Sequence, residues 1–328
     1  MSRNRTRGGA LLMVLWLSAA LSAIAFSVAL RVRTELERAG IGREALQAYY
    51  LACGAAERAL NYMRYGPGPL DPLGRPRWWD ARIPRLAFRF PEGDAIVEVI
   101  PESSRFNVNA IGREDLQRLL FVLGVPPDRA RLITSAVLHW RGSELSDLDT
   151  LYLSASPSFR APRASLEQIE ELMSAAGITP DLFYGGYTRT PEGALVRRAG
   201  LRDCLSVFSS GRPFDINTVP PAVMMAVGVP APAADMIARM RMQQPITNLQ
   251  TVAPLLGPVA GRFRIGGDNI YTLRATARVR RSDGRPGDVR RTVAMTVQLQ
   301  STVSPEGFRV LAWEDSALPS PEVEAWLP

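Results

Sequence analysis

The amino-acid sequence predicts an α+β fold in which a long N-terminal helix lies on an antiparallel sheet. A large all-α segment is inserted between the early strand and the late ones. Three observations predict this. An uncharged stretch from Ala10 to Leu30 runs straight into an amphipathic pattern that meets no stop before Tyr65-Gly-Pro-Gly-Pro. Alternating apolar and polar residues occur near residue 95 and again beyond residue 270. Between them lies a helical region that carries an internal repeat.

The first element begins with Arg3, Arg5 and Arg7, then Gly8-Gly9, then the apolar run. A helix needs about 20 apolar residues to cross the hydrocarbon core of a bilayer, and Ala10–Leu30 is long enough. In a secretory signal peptide the small residues follow the apolar core. Here Gly8 and Gly9 precede it, so cleavage at that junction would discard the basic leader and keep the helix. The basic leader places the N-terminus in the cytoplasm and the bulk of the chain across the membrane. Beyond Leu30, Ala39, Leu46, Tyr49, Tyr50, Cys53, Ala56 and Leu60 recur at roughly helical spacing, with charges between them. Gly40, Gly42 and Gly54 weaken this helix without ending it, so it is expected to reach about Met63.

Residues 65–93, rich in Pro and Gly and carrying Trp78-Trp79, read as an irregular connection. Ala95–Ile100 reads as a short strand. Three more are expected at Tyr271–Val279, Val289–Leu299 and Phe308–Trp313, the first two joined at the turn Ser282-Asp-Gly-Arg-Pro-Gly287. The repeat lies between. One copy runs Phe106-Asn-Val-Asn-Ala-Ile111, a Leu-rich helix, then Leu123-Gly-Val-Pro126. The other runs Phe214-Asp-Ile-Asn-Thr-Val219, a helix, then Val227-Gly-Val-Pro230. Phe106 pairs with Phe214, Asn109 with Asn217 and Gly124 with Gly228. Each copy is helix, Gly-containing turn, helix, and the two asparagines are expected as N-caps. A partial third copy is expected at Ala176-Gly-Ile-Thr-Pro-Asp-Leu182 after a helix Ser165–Ser174.

A helix-turn-helix unit with Gly-Val-Pro in the turn is the helix-hairpin-helix pattern, whose turn can offer backbone N–H groups to a DNA phosphate. Neither turn carries a basic residue, and DNA affinity depends on phosphate neutralisation. A structural or protein-contacting role is therefore favoured over a nucleic-acid partner. The net charge is +7, and all 39 basic residues are arginine. Codon bias explains this more simply than a nucleic-acid surface, because the arginines are interleaved with acids. The densest group, Arg278, Arg280, Arg281, Arg285, Arg290 and Arg291, flanks a turn and reads as a solvated hairpin end.

Two cysteines, Cys53 and Cys204, and one histidine, His139, exclude a zinc-binding CxxC pair and HExxH chemistry. His139 sits in the apolar stretch Ser135–Trp140 and reads as a packed side chain rather than a base. A Cys53–Cys204 disulfide would be permitted outside the cytoplasm, but spacing does not say whether the two meet. Glu144, Asp147 and Asp149 are weak calcium candidates without EF-hand spacing, a solvated loop being the default reading. No constellation specifies an enzyme.

The leader Arg7-Gly-Gly-Ala-Leu-Leu-Met-Val-Leu-Trp16, the unbroken helix to Leu60, the two Phe-x-x-Asn segments and the closing Phe308-Arg-Val-Leu-Ala-Trp313 together resemble the minor pseudopilin K (GspK) family of the type II secretion system. The resemblance covers essentially the whole chain. It implies a pseudopilin fold: leader 1–8, helix 9–63 with 10–30 in the membrane, a sheet domain from 64–104 and 264–328, and an inserted helical domain at 105–263 with two helix-hairpin-helix or SAM-like repeats. It also implies cleavage by the prepilin peptidase after Gly8, with a cut after Gly9 as the alternative, and N-methylation of the new terminus.

Pilin-like proteins carry Glu at the fifth mature position; here that position is Met13, or Val14 with the later cut. The lack resembles the K component, read as the tip of the pseudopilus with no subunit above it. Implied partners are minor pseudopilins I and J, and beyond them H and the major pseudopilin, at the inner membrane with the bulk periplasmic. The implied function is initiation of pseudopilus assembly for export of folded proteins across the outer membrane. Ala10, Leu11, Leu12, Met13, Leu15 and Trp16 are the implied helix-assembly residues, and Phe106, Asn107, Asn109, Gly124, Phe214, Asn217 and Gly228 the structural residues of the repeats. The alternative is a membrane-anchored helix-hairpin-helix DNA-binding protein of a competence-type system.

Overall fold

The computed structural model describes residues 5–65, 84–143, 147–189, 193, 195–211, 213–266, 269–281, 283–299, 307–319 and 323. The pair Trp78-Trp79 lies outside them. Helix α1 spans Arg5–Tyr65, 61 residues without interruption, roughly 90 Å at 1.5 Å per residue. Strands β1 (Arg85–Phe90) and β2 (Gly93–Pro101) follow as a hairpin. The expectation of an irregular connection through residue 93 is thereby corrected. Leu86 and Phe88 alternate with exposed Ala87 and Arg89, so β1 has the period of a half-buried strand.

The chain then enters the insert. In order come β3 (Phe106–Asn107), α2 (Arg113–Val122), α3 (Pro127–Trp140), α4 (Leu148–Leu153), α5 (Pro180–Tyr184), β4 (Tyr187–Arg189), β5 (Leu195–Arg197), α6 (Leu201–Cys204), β6 (Leu205–Ser206), β7 (Phe214–Asp215), α7 (Pro221–Ala226), α8 (Ala231–Gln243), α9 (Ala253–Leu256) and β8 (Phe263–Arg264). The all-α expectation needs correction. The insert is mainly helical, but β3 pairs in parallel with β6, β7 in parallel with β8, and β4 with β5 as a small hairpin. Two-residue bridges leave no alternation to read in the sequence. The helix expected at Ser165–Ser174 is a 3-10 segment over Ile169–Ser174 only.

Three long strands return: β9 (Ile270–Arg280), β10 (Pro286–Leu299) and β11 (Phe308–Glu314). They complete an antiparallel sheet in the order β1-β2-β9-β10-β11. The register sets Val97 opposite Ala275, and Ala275 opposite Val293. This lines Ala95, Val97, Val99, Leu273, Ala275, Val293, Met295 and Val297 on the face that meets α1.

The helix presents Ala45, Ala48, Ala52, Ala55, Ala56, Ala59, Leu60 and Met63 to that face, all buried. This corrects the expected packing face: Leu46 and Tyr50 are 57% and 65% exposed, and Ala39 is exposed as well. Small side chains let the helix backbone approach the sheet closely, so the buried stripe is made of alanine rather than of the larger residues. Gly93 is crowded by both the neighbouring strand and the helix. A Cβ there would stand 2.2 Å from the Arg278 carbonyl oxygen and 2.9 Å from Leu51 Cδ1. A second, separate hydrophobic cluster fills the insert, from Phe106 to Phe263.

The opposite face of the sheet is polar and also buried. Thr272 and Thr296 Oγ1 atoms are 2.7 Å apart, and those of Thr276 and Thr292 are 2.9 Å apart. Glu102, 2% exposed, accepts hydrogen bonds from Thr272 on β9 at 2.6 Å and from Ser206 of the insert. One buried carboxylate therefore fastens the sheet to the insert.

Candidate functional site

Three features bear on function: the first turns of α1, the paired repeats and the acidic segment after α3. Gly8 and Gly9 lie within the first turns of α1, and nothing approaches within 4 Å of a Cβ built on Gly9. Leu11, Met13 and Trp16 are 70%, 75% and 73% exposed, and Leu12 and Leu15 are exposed too. From Ala10 to Leu30 the helix is uncharged on every side, none of its most apolar window is buried, and it is long and apolar enough to cross a membrane. A helix of that kind is stable only inside lipid or among other apolar helices. Ala10 is helical in backbone and continues the same run.

The repeats agree down to individual hydrogen bonds. Rings of Phe106 and Phe214 meet edge to face, 5.1 Å between centroids, so the repeats touch at equivalent positions. Asn109 Oδ1 accepts from the Leu166 N–H at 2.8 Å, and its Nδ2 donates to the Leu166 carbonyl at 3.0 Å. Asn217 does the same with Ile246, at 2.7 and 2.9 Å. Neither asparagine caps a helix; the N-cap positions of α2 and α7 are Gly112 and Pro220. That expectation is corrected. Each side-chain amide instead imitates one rung of a β-ladder and secures the segment that closes its repeat. Asn107 Oδ1 accepts from the Asn109 N–H at 2.7 Å, shaping the loop.

Two arginines that sequence reasoning missed complete the symmetry. Arg141, just past α3, donates to the carbonyls of Val108 and Ile111, both at 2.9 Å. Arg241, near the end of α8, donates to Ile216 at 3.1 Å and Val219 at 2.6 Å. Val108 and Ile111 correspond to Ile216 and Val219 under the repeat, so each second helix clamps the loop that begins its unit. Burial pulls the Arg141 guanidinium below its ordinary value. The signal was available: an arginine follows Trp140 and another follows Met240.

The turns require glycine, with φ of +82° at Gly124 and +107° at Gly228. Their N–H groups are taken. Gly124 and Val125 donate to Phe121 and Leu120, and Gly228 and Val229 to Met225 and Met224. The N–H groups of these four turn residues are thus spent on the preceding helix. The expected partial third copy places Gly177 at φ +85° ahead of the single-turn α5.

In the acidic segment, Asp149 is fully engaged. One oxygen lies 2.9 Å from His139 Nε2 and the other pairs with Arg163. The His139 contact first, and then the Arg163 charge, hold the Asp149 carboxyl below its usual range. His139 is completely buried and packs near Tyr152. Asp147 stands at the N-cap position of α4 without a side-chain capping bond, and Glu144 lies outside the described residues. No group of three His, Cys, Asp or Glu side chains able to hold a metal occurs among the described residues. Asp149 is thus the partner of His139 and Arg163. Cys53 is half-buried on α1 and Cys204 is buried in the insert, both as free thiols.

Comparison with known proteins places this geometry. Residues 104–184 match the family described as type II secretion system (T2SS), protein K. Type II secretion system protein K of Pectobacterium carotovorum subsp. carotovorum is 28% identical over 209 residues, covering 55% of this chain and 61% of that relative. The chain also resembles in fold a chain of the GspK-GspI-GspJ complex from the enterotoxigenic Escherichia coli type 2 secretion system. The TM-score is 0.51 at 18% identity, over 88% of this chain and all of the other.

Proposed function

We propose that this chain, which belongs with type II secretion system protein K, is the minor pseudopilin at the tip of a pseudopilus. It is anchored in the inner membrane and initiates assembly with I- and J-type pseudopilins for export of folded proteins across the outer membrane. The observation that carries this reading is the single 61-residue helix that joins an all-round apolar half to a folded head. Released from lipid, its Ala10–Leu30 half must bury itself against equivalent helices, and the small residues along that half permit close approach. The head bears a bulky insert between β2 and β9, which obstructs stacking of a further subunit. The family is a structural part of secretion and is not known as an enzyme.

On this reading the leader 1–8 is removed at Gly8, or at Gly9, and the bulk of the chain is periplasmic, as Arg3, Arg5 and Arg7 direct. Met13 replaces the usual carboxylate because no neighbour above offers an amine, and an unpaired carboxylate in lipid is costly. Residues 64–104 and 264–328 form the sheet domain and 105–263 the inserted domain, its two units being helix-hairpin-helix or SAM-like repeats used for packing. Two separate hydrophobic clusters support that division. The test is photo-cross-linking in membranes from Leu15 and Trp16. Adducts with I- and J-type pseudopilins support the proposal; adducts with lipid alone overturn it.

A further inference from the structure

The sheet and the insert do not close completely on each other. Between them lies a cavity of about 430 Å³. Six guanidinium groups line it, from Arg85, Arg105, Arg197, Arg198, Arg241 and Arg274, against two carboxylates among the described lining residues, Glu98 and Asp203. Both carboxylates are committed. Glu98 accepts a two-pronged contact from Arg274 at 2.7 and 3.2 Å, and Asp203 accepts from Arg197 at 3.0 and 3.2 Å. Arg105 reaches Glu102 only at 3.6 Å, and the two oxygens of Glu102 accept from Thr272 and Ser206. Arg198 gives one nitrogen to the Leu123 carbonyl at 2.5 Å. A guanidinium has five N–H donors in a planar fork, so Arg105 and Arg198 bring more donors than these contacts use. The Arg105 side chain is only 18% exposed, so its charge is less screened than on an open surface, while Arg198 is exposed.

We infer that this cavity binds a small oxyanion, either a free inorganic anion or a carboxylate presented by an acidic peptide, between Arg105 and Arg198. Fork geometry suits carboxylate and phosphate alike.

Inorganic phosphate is titrated into the full chain in detergent by calorimetry at constant ionic strength. A second titration uses an end-blocked tri-aspartate peptide. The expected result is saturable binding of at least one probe, weakened about tenfold by Arg198→Gln, as loss of one charge-assisted contact requires. Arg105→Gln acts in the same direction, and Arg309→Gln, on the distant edge strand β11, leaves binding unchanged. Arg198 is exposed, so its variant should keep the wild-type far-ultraviolet spectrum, which is recorded alongside. Phosphate binding assigns the site to a free anion; binding of the peptide alone assigns it to a partner's carboxylate. Failure of both probes, or equal weakening by Arg309→Gln, overturns the inference.

Discussion

Replacing Asn217 with alanine isolates the interaction that makes the second repeat a closed unit. Its amide makes two hydrogen bonds to Ile246, at 2.7 and 2.9 Å, and both residues are buried. The substitution removes both bonds and leaves the Ile246 N–H and carbonyl without partners. A buried polar group stripped of its partner costs about 1–3 kcal/mol, so the loss should be about 3 kcal/mol. For a unit of this size that corresponds to a fall in Tm of roughly 9 °C. Thermal unfolding of the full chain in detergent, followed by circular dichroism, measures it. Hydrogen exchange should show the opening concentrated in α7 and α8 rather than in α2 and α3. A loss no greater than that of Gln243→Ala, at an exposed position, would refute the reasoning.

Gly93→Ala should lower stability by about 1–3 kcal/mol, as overpacking does, because its Cβ meets backbone on β9 and the Leu51 side chain; a neutral result in denaturant titration would contradict that close packing around Gly93. Glu102→Ala should cost about 3 kcal/mol and loosen the insert from the sheet, read as increased proteolysis near residue 104, since it strands two hydroxyl donors and Arg105. The Asp149 carboxyl is held below its ordinary value, so its stabilisation is complete at neutral pH and disappears as pH falls through that lowered value. Asp149→Asn should therefore flatten the acid limb of the stability–pH curve, and an unchanged limb would count against the His139 and Arg163 contacts. Mass spectrometry of chain purified from membranes should find the N-terminus at Gly9 with one added methyl group; retention of residues 1–8 would refute processing.

The architecture was legible because its signals are long. An apolar run followed by an amphipathic one predicts α1, and alternation over ten residues predicts β9 and β10. Errors arose where a short-range rule met a long-range constraint. Large apolar residues such as Leu46 and Tyr50 looked like the packing face of α1. The sheet instead comes so close that alanine is the residue that fits, and the larger side chains are left outward. Strand β1 was hidden by the Pro- and Gly-rich stretch before it. Asn109 and Asn217 were recognised as a pair because the repeat aligns them. Their role could not be read locally, since Leu166 and Ile246 lie 57 and 29 residues away. Arg141 and Arg241 were invisible for the same reason: a clamp on loop carbonyls leaves no periodic trace.

Assembly with I- and J-type pseudopilins through the helix and the head is what the proposed function requires. Co-expression of the full-length chain with I- and J-type pseudopilins, extraction in mild detergent and native mass spectrometry test that directly. The predicted result is a complex holding one copy of each, lost when the apolar helix is removed. A chain that purifies alone, and instead binds duplex DNA with an affinity that falls steeply as salt rises, would contradict it.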